Sequence, residues 1–173
     1  MGHWGIFHNG AGRRLPALVG KVASYEGRAI NLHLTFLSEV GSKSEFEPTK
    51  KVMAGKLPDG CAIRIGDAAP IMGVAEGVET AVSASIMYGI PVWACVNGIL
   101  LSKWVPPAVS EKIYIFADND KNYAGQSKAY HLANRLHVQF KREVEVLVPP
   151  EQGQDWNDVH MGQILKLSGA GRV

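Results

Sequence analysis

The chain has 173 residues, 46% of them hydrophobic, with 18 Lys and Arg against 16 Asp and Glu for a formal net charge of +2. That length supports one well-buried core or two small lobes, and the composition excludes a disordered chain. Cys61 and Cys95 are the only cysteines, too few for a disulfide framework or a four-thiolate zinc site, and no apolar run approaches the length of a membrane span. The opening Met1-Gly-His-Trp-Gly lacks the basic and apolar regions of a secretory leader, so a cytoplasmic, reducing location is expected.

Up to about Asp67 the pattern is of β type. Ala17 to Ala23 and Ala29 to Leu37 carry strand-favouring residues on either side of Tyr25-Glu-Gly-Arg28, where Gly27 supplies a turn, and the pair predicts an antiparallel hairpin. In its second strand Ile30, Leu32, Leu34 and Phe36 alternate with Asn31, His33 and Thr35, which predicts one core face and one wet face. A polar connection from Ser42 to Lys51 leads to a further short strand, Cys61 to Gly66, in which Arg64 opposes Ile63 and Ile65. Residues 1–70 hold nine Lys and Arg against six acids, and residues 71–173 hold nine against ten. A basic front lobe over 1–68 and an acidic second domain over 69–173 are therefore expected.

From Ala69 the pattern changes to alternation of strand and helix. Pro70 to Ala75 reads as a buried strand, followed by Glu76-Gly77 and a helix through Thr80 to Tyr88 that Gly89 closes. Pro91 to Val96 is the second strand, Asn97-Gly98 a turn, and Leu100 to Trp104 a short helix before Pro106-Pro107. Ile113 to Ala117 is the third strand, Gly125 to Phe140 a helix with Ala129, Leu132, Ala133 and Leu136 on one face, and Glu143 to Val148 the fourth strand. Pro149-Pro150 starts a loop ending in Asp155-Trp-Asn-Asp158, ahead of a last helix around Ile164 and Leu165. Such alternation predicts a parallel sheet with right-handed crossovers.

Parallel strands share one carboxyl edge, which is where open α/β sheets bind their ligands. Glu76 after the first strand and Asp118 and Asp120 after the third then lie on the same side. Acids so placed match a hard-cation site that keeps waters and takes its remaining ligands from substrate phosphates. Asp155 and Asp158 follow the fourth strand at the same edge; they are candidate second-metal ligands, or else they cap the last helix. Lys50, Lys51 and Arg64 are candidates for contacting nucleotide or template phosphates, with a solvated basic face as the alternative. Trp93 and Trp104 read as core, Trp156 stays open as a stacking surface among the acids, and the six histidines show no metal-ligand spacing.

Residues 71–160 resemble a Toprim domain, the metal-binding module shared by primases, topoisomerases and some nucleases. Its marks are a Glu-Gly after the first strand and an Asp-x-Asp after the third, here Glu76-Gly77 and Asp118-Asn119-Asp120. The ordered set Ala75-Glu-Gly-Val-Glu-Thr-Ala81, Pro91-Val-Trp-Ala94, Ala117-Asp-Asn-Asp120, Ala124-Gly125 and Asp155-Trp-Asn-Asp158 resembles the Toprim region of plasmid- and phage-encoded primases, often fused to helicases. Residues from about Leu15 to Asp67 resemble the segment that precedes Toprim in those proteins. The resemblance implies an α/β fold with a Toprim-like parallel sheet of about four strands and helices on both faces, preceded by a small β-rich lobe.

It further implies a DNA primase catalytic region that makes short RNA primers on single-stranded DNA from ribonucleoside triphosphates. Glu76, Asp118 and Asp120 would hold Mg²⁺, with Mn²⁺ as a substitute, and a replicative helicase would act in trans or within a longer parent chain. A Toprim nuclease and a non-catalytic nucleic-acid-binding replication module are the alternatives. Bacterial replicative primases carry a further acid four positions after the glutamate, whereas this chain has Thr80 there and Glu79 one residue earlier. A helix turns about 100° per residue, so Glu79 points elsewhere.

Overall fold

A computed structural model describes residues 2–170. The chain divides into two compact units, Met1–Pro58 and Asp59–Val173.

The first unit is an antiparallel sheet of β1 (Gly2–His8), β2 (Arg13–Ala23), β3 (Ala29–Phe36) and β4 (Lys50–Val52), paired in that order. The β2–β3 hairpin matches the sequence reading: Gly27 takes φ +90°, its N–H donates to Ser24 O, and the Ser24 N–H donates to Arg28 O. Leu15, Ala17, Leu34 and Phe36 form its core. The wet face expected for β3 is not found. Asn31, His33 and Thr35 are buried, while Leu32 is 43% exposed. Asn31 is accommodated by local pairing, since its Nδ2 donates to Met53 O and its Oδ1 accepts from Leu32 N–H. The strand β1 lies outside the sequence reading altogether, because Gly2, Gly5 and two histidines hide its alternation.

The second unit is a sheet in the order β5 (Ala62–Ile63), β7 (Val92–Ala94), β6 (Ile71–Ala75), β8 (Lys112–Phe116), β9 (Glu143–Leu147). The last four are mutually parallel and β5 is antiparallel to β7. The pairing of β5 with β7 places Ala62 and Ile63 in this unit, so the sequence division after residue 68 falls inside it. Helices lie on both faces. On one, α1 (Val78–Tyr88) packs with α4 (Trp156–Ala170), and Tyr88 and Trp156 meet Phe116 of β8 edge-on with centroids 4.9 and 5.6 Å away. On the other, α2 (Gly98–Ser102) packs with α3 (Ala124–Phe140), which buries Ala129, Leu132 and Leu136.

Gly89 ends α1 as the sequence suggests, in the left-handed conformation at φ +66° with its N–H donating to Ser85 O. Trp93 and Trp104 are buried core residues. Trp156 is buried too and donates its Nε1–H to Leu147 O, so it is a packing element with no face open for stacking. Among the described residues no helix is long and apolar enough to cross a membrane.

Candidate active site

The strand order creates the site. The chain passes from β6 to β7 on one side, then crosses back over β6 to lay β8 on the other, so the strand order reverses between β6 and β8. At such a switch point the two connections leave in opposite directions and open a crevice outside the carboxyl ends. Ala75 is in register with Phe116. Glu76 therefore leaves its strand beside Ala117, and Asp118 follows one residue on.

The Asp118-Asn119-Asp120 loop is tied down on both sides. Asn119 exchanges backbone hydrogen bonds with the loop after β9, its N–H donating to Gln154 O at 2.9 Å and its O accepting from Gly153 N–H at 2.7 Å. Its side chain donates to Pro149 O and accepts from Gln126 Nε2, both at 2.8 Å. Asp120 Oδ2 accepts the Gly125 N–H at 2.9 Å at the start of α3. Gly125 itself is required by close approach, because a Cβ there would stand 2.7 Å from the Asp118 backbone oxygen. Asp118 and Asp120 are half-buried.

Glu76 is half-buried, with Oε2 3.4 Å from the ammonium of Lys128 on α3. A third device shapes the edge beyond β7. Val96 takes φ +71° and the Asn97 N–H donates back to Cys95 O at 2.8 Å, a tight three-residue turn of strained type for a β-branched residue. It delivers Asn97, whose Oδ1 accepts from Leu100 N–H and caps α2.

Asp155 and Asp158 hold each other. The Asp155 N–H donates to Asp158 Oδ2 at 3.1 Å and the Asp158 N–H donates to Asp155 Oδ1 at 2.9 Å, a reciprocal cap on α4. Each spends one carboxylate oxygen this way. Between them, Asn157 Oδ1 accepts from Ser83 of α1 and moors the motif to the helix that follows Glu76. Arg64 lies just past β5 instead of on a strand, exposed, with its guanidinium 4.4 Å over the Trp93 ring. Lys50 and Lys51 are exposed on β4 of the first unit.

No three His, Cys, Asp or Glu side chains stand close enough to cage an ion among the described residues. The five acids nevertheless fit a hard divalent cation in kind. They are oxygen donors, those after β6 and β8 leave neighbouring strands at one sheet edge, and an ion that keeps its waters needs only one or two carboxylates. The ammonium beside Glu76 shows that a positive charge is accommodated at this carboxylate.

A family model described as a Toprim domain matches residues 71–163. The chain belongs to the Toprim family. Residues 4–65 match a second model, described as a domain of unknown function. No curated protein matches the chain. Among solved structures, this Toprim chain is similar to the primase fragment of the bacteriophage T7 primase-helicase, with TM-score 0.61 and 14% identity over 88% of this chain and 63% of that one. It is similar to a DNA primase domain from Pseudomonas aeruginosa, with TM-score 0.58 and 13% identity over 91% and 52% of the two chains. A DnaG primase catalytic domain bound to single-stranded DNA gives TM-score 0.57 and 13% identity over 93% and 56%. The Toprim chain thus spans less than two thirds of each of these proteins' length, and identities so low establish the fold alone.

Sequence reasoning missed Lys128 and the clamping role of Asn119. Lys128 follows Gly125 by one turn of α3, so a lysine flanking the helix face that holds Ala129 and Leu132 was the available signal.

Proposed function

We propose that this chain is the catalytic region of a DNA primase, a nucleotidyltransferase that makes short RNA primers on single-stranded DNA from ribonucleoside triphosphates. Mg²⁺ would be its cofactor, with Mn²⁺ able to substitute. The observation that carries this reading is the exit of Glu76 and of Asp118-Asn119-Asp120 from the carboxyl ends of the neighbouring strands β6 and β8, at the switch point of a Toprim sheet. The similarity to fragments named as primases supports it.

In this reading Glu76, Asp118 and Asp120 hold the ion, and Asp155 and Asp158 offer a second one the oxygens that their mutual cap leaves. The ion, when bound, supplies charge stabilisation to the attacking 3′ oxygen and the leaving pyrophosphate. The protein's own residues do the positioning. Asn119 and Gly125 fix the acidic loop against α3, and Lys50, Lys51 and Arg64 offer cations to nucleotide and template phosphates. Arg64 suits this role because stacking on Trp93 restrains its guanidinium while the residue stays exposed. A strand-binding role for the basic front part of the chain, the cytoplasmic location and a replicative helicase, in trans or in a longer parent chain, belong to the same proposal.

The test supplies labelled ribonucleotides, single-stranded DNA and Mg²⁺, beside a chelated control. Metal-dependent oligoribonucleotides support the proposal. Metal-dependent cleavage without nucleotides would transfer it to a Toprim nuclease, since the same acids also serve phosphodiester hydrolysis. Strand binding that survives chelation, with no polymer made, would leave a non-catalytic replication module.

A further inference from the structure

Lys128 Nζ lies 3.4 Å from Glu76 Oε2, with the two side chains 40% and 30% exposed. Its arm crosses the start of α2 to get there: a Cβ added at Gly98 would overlap Lys128 Cδ, Cε and Nζ. Three elements thus cooperate to bring one ammonium to the carboxylate at the end of β6. Gly125 seats α3 against the acidic loop, Lys128 stands one turn further on, and Gly98 leaves the channel that its arm occupies.

Resting on the metal reading above, we propose that Lys128 makes the site selective for a divalent ion already carried on a nucleotide's phosphates over the bare ion. A bare dication that approaches Glu76 meets a cation in place and must break the pair. A metal–triphosphate complex is net negative, and its free phosphate oxygens accept hydrogen bonds from the ammonium that the metal displaces. The same charge therefore opposes one ligand and favours the other. Lys128 is in this sense a specificity-determining residue, acting on the ion through Glu76 and on the nucleotide through its own N–H groups.

The experiment measures equilibrium binding of MnCl₂ alone, and of Mn²⁺ with a non-hydrolysable ribonucleoside triphosphate, by electron paramagnetic resonance on the full chain. Lys128→Met removes the charge and keeps the stem. Its Kd for bare Mn²⁺ is expected to fall about two- to fivefold, the size of a partly exposed ion pair. Its Kd for the Mn²⁺–nucleotide complex is expected to rise about tenfold, the size of one hydrogen bond to a charged group. Lys128→Arg should keep the preference for the nucleotide complex. Gly98→Ala, which pushes the arm aside, should reproduce the Lys128→Met pattern and add nothing when combined with it. Affinities that both stay unchanged, or that move in the same direction, in a protein that binds Mn²⁺ overturn the role of Lys128 and leave the metal reading standing. If the unmutated protein binds neither probe, the metal reading falls and this inference with it.

Discussion

Gly125→Ala tests the site with the smallest possible change. The added Cβ would stand 2.7 Å from the Asp118 backbone oxygen, 3.1 Å from Asp120 Oδ2 and 3.2 Å from Asp118 Cβ. The nearest of these is backbone and cannot rotate away, so either α3 starts farther from β8 or the acidic loop bends. Overpacking of this kind costs about 1–3 kcal/mol. Stretching the hydrogen bond from Gly125 N–H to Asp120 costs about 1 kcal/mol more, which the better helix propensity of alanine offsets by about 1 kcal/mol. The net loss of about 1–3 kcal/mol corresponds to a fall in melting temperature on the order of 5–10 °C for a unit of this size. Calorimetry with and without Mn²⁺ is the assay. The metal-induced rise should also shrink, because moving the loop that carries Asp118 and Asp120 weakens binding to the native state and with it the mass-action stabilisation. Gly162→Ala in α4, where a Cβ meets nothing within 4 Å, is the control and should not destabilise. A Gly125→Ala protein that melts like the unmutated one, with its metal response intact, would refute the close approach and the seating of α3 argued from it.

Glu76→Gln should keep the fold and most strand affinity yet lose about 100- to 1000-fold in metal-dependent primer synthesis, measured as primer yield beside circular dichroism; unchanged yield would remove this glutamate from the mechanism. Asp158→Asn retains a side-chain oxygen for the Asp155 N–H and should melt within about 0.5 kcal/mol of the unmutated protein, whereas Asp155→Ala should lose about 1 kcal/mol of cap. Primer yield on the stable Asp158→Asn protein then reports whether that acid does anything besides capping. Lys50→Ala, Lys51→Ala and Arg64→Ala together should weaken single-strand binding and flatten its salt dependence, by about 0.7 in log–log slope for every phosphate that is no longer neutralised; an unchanged slope would place the strand elsewhere. Glu26, whose carboxyl is held below the usual range first by the Ser24 hydroxyl and then by its own backbone N–H, should titrate upward in Ser24→Ala when followed by NMR. A depressed carboxyl stabilises above its unfolded value, so this contribution to the hairpin is present at neutral pH and fades as the solution is acidified below that value.

The second unit was legible because its rules are local and repetitive. Apolar runs of strand length, Gly89 after a helical stretch and acids just past two strands each carry a signal that needs no tertiary context. The parallel order then follows from alternation. What escaped was set by contacts between distant segments. Asn31, His33 and Thr35 read as a wet face because alternation reports polarity and not what covers it. Asp155 and Asp158 were read as second-metal ligands or else caps of the last helix; the cap is found, but its reciprocal form depends on how the loop after β9 turns into α4. Lys128 could be noticed as a lysine flanking the buried face of its helix, but its pairing with Glu76 could not, since nothing within α3 shows that Gly98 leaves a path to that carboxylate.

That path bears on how the acids of this site coexist in the folded chain. Carboxylates crowded at one sheet edge would repel if nothing answered them. Here four of the five are answered locally: Glu76 by the Lys128 ammonium, Asp120 by the Gly125 N–H, and Asp155 and Asp158 by each other's backbone N–H groups. Folding is therefore expected to proceed without an ion at the edge, and an ion would gain its place by competing with partners already present. Competition lowers apparent affinity without removing the native-state preference, so stabilisation by Mn²⁺ should still follow mass action, reaching about 2.7 kcal/mol only near a hundredfold excess over Kd. A chain that was unfolded without metal, or one whose melting temperature ignored millimolar Mn²⁺, would contradict this arrangement from opposite sides. The first would mean that the local partners do not suffice, and the second that the acids hold them too tightly to accept an ion at all.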